Sequence, residues 1–103
     1  MSIEAIAWAV PSVVQTADEI AAMTGAAADF IAGKVGLARR HVLGPDETGV
    51  GLSAAACENL FARKPELRAA VDAVICVTQN PDQRIPHNSA AIAHRLGLCF
   101  YCV

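Results

Sequence analysis

Apolar residues come in short bursts separated by turn formers, and their spacing changes along the chain. Ile3 to Val10 is a near-continuous apolar run with Trp8, ended by Pro11, and predicts a buried strand. Pro11-Ser12 then opens a turn. Thr16 or Asp18 is placed to cap a helix over Glu19 to Met23, because a side-chain oxygen there accepts from orphan backbone N–H groups, and Gly25 suits its end. A second short helix is predicted over Ala27 to Gly33, with Phe30 and Ile31 as its bulky residues. Gly33 and Gly36 bracket Lys34.

Leu37 to Leu43 mixes apolar and basic residues and predicts an extended stretch facing two environments. Gly44-Pro45-Asp46 is a turn signal. From Thr48 to about Arg63 the period lengthens to that of a helix. Ala54, Ala55 and Ala56 allow close approach to a neighbour there, while Leu52, Leu60 and Phe61 supply bulk. Lys64 and Pro65 end it, and Pro65 to Ala70 predicts a short helical turn. Val71 to Thr78 is rich in β-branched residues without alternation, the mark of a central strand covered on both faces. Gln79 to Pro86 is a loop at that strand's C-terminal end, where open α/β sheets commonly place ligands. Asn88 or Ser89 is positioned to cap a last helix over Ala90 to Leu96, closed by Gly97, and Leu98 to Val103 starts a further strand. The order of elements is an α/β layered pattern.

Composition narrows the partners more than the fold. The 103 residues suffice for one small domain and not for two independent cores. Apolar residues make up 54% of the chain, but much of that is alanine and only 5% is aromatic, so burial per residue is modest and packing against more protein is expected. A formal charge of −2, with both signs mixed along the chain, provides no field for nucleic acid or an anionic membrane. No apolar stretch approaches the roughly 20 residues of a membrane helix. The opening segment carries Glu4 and lacks a basic region, which makes it a poor signal peptide, so the expected compartment is cytoplasmic. Cys57 and Cys76 fall within apolar helix and strand patterns, where a reduced thiol acts as a small hydrophobe.

Few residues advertise chemistry by themselves. Cys99-Phe-Tyr-Cys102 has the spacing of a shared metal or redox pair, yet it is half of a zinc site, without a second pair or a close His. A structural role is the simpler reading, and no metal is expected. His41, His87 and His94 are too scattered for a ligand motif. His41 follows Arg39 and Arg40, a cluster that suits either a phosphate or a solvated face. The glycines from Gly44 to Gly51 match neither a phosphate loop nor a dinucleotide fingerprint. Ser12, Ser53 and Ser89 lack a nearby base, and Asp18-Glu19 and Asp46-Glu47 are explained by helix starts.

The order of segments is more specific than any one of them. Thr16-Ala-Asp-Glu-Ile, then Ala28-Asp-Phe-Ile-Ala-Gly-Lys-Val-Gly-Leu-Ala-Arg-Arg-His41, Pro45-Asp-Glu-Thr48, Val74-Ile-Cys-Val-Thr78 and Ala90-Ala-Ile-Ala-His-Arg-Leu-Gly-Leu98 follow one another along nearly the whole chain. Together they resemble the N-terminal part of β-ketoacyl-acyl-carrier-protein synthase III and its thiolase-like relatives. The resemblance implies an α/β fold, the incomplete N-terminal half of a thiolase-like layered α/β/α architecture. Residues 1–103 would be one partial domain that ends before the nucleophile elbow.

What the resemblance implies about function is carried residue by residue. In that family an aromatic stacks on the adenine of coenzyme A, and a basic group four residues on lies near its phosphates. Phe30 and Lys34 match those positions, where the family usually has Trp and Arg. Both substitutions keep the chemical type with less π-surface and without a bidentate fork. Helical i,i+4 spacing would put ring and ammonium on one face, although Phe30 could equally be a core aromatic. Ile85-Pro86 matches the apolar-proline pair whose apolar member lines the acyl pocket of the partner subunit. The family's Cys, His and Asn would lie beyond Val103, in contexts that Cys99 and Cys102 do not fit, so no catalytic residue is assigned here.

The implied activity is decarboxylative condensation of acyl-CoA with malonyl-carrier protein. The Cys thiolate would be acylated, and His and Asn would assist decarboxylation and hold the oxyanion. Acyl-CoA and acyl carrier protein are the implied partners, with a homodimer and no tightly bound cofactor. A non-catalytic truncated or split-assembly subunit that binds acyl-CoA or a partner chain is the alternative, and a small metal or redox domain a third.

Overall fold

Capping chemistry explains the first helix completely. The computed structural model describes residues 1–98, in two compact units: Val10–Asp46, and Met1–Ala9 joined with the residues from Glu47 onward. In the first unit Thr16 is the N-cap of α1 (Ala17–Thr24). Its hydroxyl accepts from Glu19 N at 3.3 Å, and the Glu19 carboxylate accepts from Thr16 N at 2.7 Å. These reciprocal bonds satisfy two donors that a helix start otherwise leaves open. Gly25 ends α1 at φ 75°, a conformation free of strain only without a Cβ, and its N–H reaches Ala21 O at 2.9 Å.

The expected extended stretch is β2 (Arg39–Val42), and it has a partner that the pattern did not announce. β1 (Val13–Thr16) pairs with it antiparallel, from Val13 opposite Val42 to Thr16 opposite Arg39. The predicted Pro11-Ser12 turn thus leads into a strand before the cap. Four residues are too short a run for alternation to be read, and Val13 and Val14 are both exposed, so no buried face marks them. The second predicted helix is α-helical only at residues 28–29 and continues as a π-helical turn, Phe30–Lys34, closed by Val35 N to Phe30 O at 3.1 Å. Ile20 and Ile31 are the buried apolar residues of this unit.

The second unit is built on α2 (Gly49–Arg63), which starts and ends where its sequence indicates, with Thr48 as N-cap and Lys64-Pro65 after its last turn. A short α3 (Glu66–Ala69) follows, and α4 (Asn88–Arg95) packs across α2. Ala54 and Phe61 of α2 meet Ile92 and Leu96 at the centre of this core. Arg68 lies 4.5 Å from the Phe61 ring centroid, donates to Leu96 O at 2.6 Å and pairs with Glu58. One guanidinium thus ties α2, α3 and the end of α4 together.

Three expectations are corrected. Val71 to Thr78 is not a strand covered on both faces: Val74 and Cys76 pack on the helical core, while Ile75 and Val77 stand 88% and 94% exposed. Ile3 to Val10 is likewise neither strand nor buried, with Trp8 70% exposed. A strand is defined by its neighbour's hydrogen bonds, and the only sheet among the described residues is β1–β2. The N-terminal run is held instead by side chains of the second unit. Asn59 Nδ2 donates to Trp8 O at 3.0 Å, Arg63 Nη2 to Ile6 O at 2.6 Å and Lys64 Nζ to Glu4 O at 3.1 Å. The third correction is small: His87, without a side-chain bond, is the N-cap of α4 rather than Asn88 or Ser89, because Asn88 faces inward. The Cys99–Cys102 pair and all of the predicted last strand after Leu98 fall on residues 99–103, outside the described residues. No helix among the described residues is long and apolar enough to cross a membrane.

Candidate functional site

A π-helical turn widens the spacing between side chains, and here it separates a buried residue from an exposed ring. Ile31 points into its unit at 5% exposure, while the adjacent Phe30 is 50% exposed and Lys34, four residues on, is exposed as well. The structure brings this pair onto one short surface turn. The buried position of this turn is held by Ile31. In the same unit Arg40 Nε donates to Gln15 Oε1 at 2.9 Å, across the β1–β2 ladder. His41 Nδ1 lies 2.8 Å from Pro11 O, and a carbonyl can only accept, so that nitrogen carries the proton. His41 therefore has a structural partner, and the Arg39–His41 cluster is divided between the two faces of a strand.

Ile85 belongs to the other unit, on the loop before α4, and is 84% exposed beside a cis Ile85-Pro86 bond. Next to this loop lies an open depression of about 430 Å³ lined by Cys76, Thr78, Pro81, His87 and Ser89, among others. The loop is anchored by a residue that sequence reading passed over. The Asp82 carboxylate accepts from Gly49 N at 2.9 Å and Val50 N at 2.8 Å, filling the first two donor positions of α2. Its only sequence signal is an acidic residue after Pro81, and a cap supplied from more than thirty residues away leaves no local pattern.

Cys57 is poorly disposed to act as a nucleophile. Burial, reinforced by the neighbouring Glu58 charge, pushes the Cys57 thiol above its ordinary range and disfavours the reactive thiolate. Ser53 Oγ is committed to Gly49 O at 2.8 Å. No group of three or more metal-ligating side chains occurs among the described residues.

No family model matches the chain. Curated relatives do. The β-ketoacyl-[acyl-carrier-protein] synthase III of Rhizobium johnstonii is 34% identical over 90 residues, covering 87% of this chain and 28% of that protein. Synthase III 1 of Bacteroides thetaiotaomicron is 33% identical over 90 residues, covering 86% of this chain and 27% of that protein. The solved synthase III of Thermus thermophilus superposes on the whole chain with a TM-score of 0.88 and 31% identity, over 33% of its own length. The chain is homologous to the N-terminal portion of the β-ketoacyl-acyl-carrier-protein synthase III family.

The chain spans about 28% of the synthase III relatives it matches. Its α/β arrangement is therefore a portion of a thiolase-like fold.

Proposed function

We propose that this chain is the N-terminal part of an acyltransferase of the synthase III type, one that condenses an acyl-CoA with a malonyl-carrier protein. Phe30 offers a face for the adenine of coenzyme A, and Lys34 a cation for its phosphates. Ile85 lines the acyl pocket of the partner subunit in a homodimer. The observation that carries the reading is the exposure of Phe30 beside a buried Ile31. A half-exposed aromatic four residues before an exposed lysine supports a stacking platform with an anion site at its edge. The nucleophile and its partners are assigned to none of the described residues.

The test is made on the full-length protein containing this chain. Phe30→Ala and Lys34→Ala should each raise the KM for acyl-CoA severalfold, the loss of about 0.5–1.5 kcal/mol of stacking being the larger effect. Phe30→Trp should lower it. Unchanged KM values for both alanine variants would remove the coenzyme A assignment. The exposed Ile75–Val77 face favours a chain that packs against further protein, which also suits a non-catalytic subunit that binds acyl-CoA or a partner chain. Retained acyl-CoA binding without any condensation product would select that second reading.

A further inference from the structure

We infer that Asp82 is a positioning residue that fixes where Ile85 is presented, and thereby helps to set the acyl chain accepted; the inference rests on the acyl-pocket reading of Ile85 given above. Ile85 itself is held by almost nothing. Gln83 through His87 are all exposed, so packing does not define the path of this segment. Its two ends, by contrast, are pinned. At one end Asp82 Oδ1 and Oδ2 accept from Gly49 N and Val50 N. At the other, Asn88 is only 6% exposed, and its Oδ1 accepts from Asp82 N at 3.3 Å, closing the segment into a ring.

The anchor is built to fit. A Cβ on Gly49 would stand 2.9 Å from Asp82 Oδ1 and 3.9 Å from Asn88 Nδ2, so the carboxylate reaches the start of α2 only because residue 49 has no side chain. Gly51 N is taken by Thr48 Oγ1 at 2.9 Å, and Leu52 N by Thr48 O at 2.9 Å. Asp82 therefore completes a set of donors that the local cap leaves half filled. Charge-assisted bonds to backbone N–H groups are also short and directional, which suits them to hold a loop that has no core of its own. Moving this carboxylate moves the tether of Ile85.

The experiment compares Asp82→Ala, Asp82→Asn, Gly49→Ala and Ile85→Ala in the full-length protein, across saturated acyl-CoAs of increasing chain length. Amide exchange at Gly49 and Val50 and the Ile85 methyl resonance are followed in parallel. Asp82→Ala should speed exchange at both amides by roughly tenfold or more, displace the Ile85 methyl resonance and change the ratios of kcat/KM along the series. Asp82→Asn, which keeps one acceptor oxygen, should fall between it and the native protein. Gly49→Ala, which pushes the same carboxylate away from the other side, should shift the ratios in the same direction and guards against a misfolded Asp82 variant. Ratios that change with Ile85→Ala but not with Asp82→Ala or Gly49→Ala would overturn the inference and leave the acyl-pocket reading standing. Ratios unchanged by Ile85→Ala would overturn both, even with the Gly49 and Val50 amides released.

Discussion

The α2–α4 pair and the run from Val71 to Thr78 lie in the same unit, yet they meet their requirements in opposite ways. The pair is closed: Ala54, Phe61, Ile92 and Leu96 bury one another, and the leading N–H groups of α2 are taken up by Asp82 and Thr48. The run is half closed, with Val74 and Cys76 on the helices and Ile75 and Val77 turned outward. Helices satisfy their backbone internally and need a neighbour on one stripe only. A strand between two layers needs neighbours on both edges and both faces, and those come from more distant chain.

Four substitutions would break or sharpen this contrast. The largest effect is expected for Phe61→Ala, which removes the aromatic shared by Arg68 and the α4 residues. It should cost about 3–5 kcal/mol in denaturant unfolding, and a loss below about 1 kcal/mol would mean that the pair is not the core. Thr16→Ala removes the hydroxyl half of a purely local device, leaving the residue 16 N–H to the Glu19 carboxylate, and should lower stability by about 1 kcal/mol, visible as faster amide exchange at Glu19 in α1. The smallest effect on stability is expected for Ile75→Lys and Val77→Lys. Each should stay within about 0.5 kcal/mol in this chain, because the side chains they replace touch no core. The same lysines should reduce self-association in sedimentation, since they break an exposed apolar face. A large destabilisation there would show that the face is already covered.

Legibility in the sequence follows the same division. Thr16 as one of two candidate caps, Gly25, the helix start at Thr48 and the Lys64-Pro65 stop act within one or two helical turns and were readable from residue type and spacing, while the return bond from Glu19 was not read. The apolar runs were readable as material for strands, but whether a run is paired depends on a partner that its own residues do not name. β1 escaped because four residues, none of them buried, carry no periodicity. At the candidate site Phe30, Lys34 and Ile85 came from resemblance, and the spacing of the first two is met on a single turn. Asp82 was invisible because its partners lie on α2, far away in sequence, and because a carboxylate in a loop usually faces only water.

The three bonds from Asn59, Arg63 and Lys64 to the carbonyls of Trp8, Ile6 and Glu4 touch main chain alone, at every second residue. Such a comb measures length without regard to identity. Exchanging the side chains of Glu4, Ile6 or Trp8 leaves its acceptors in place, whereas inserting or deleting one residue between them would put the teeth on one side out of step with the rest. The opening of this chain is therefore tolerant of substitution and intolerant of a change in count.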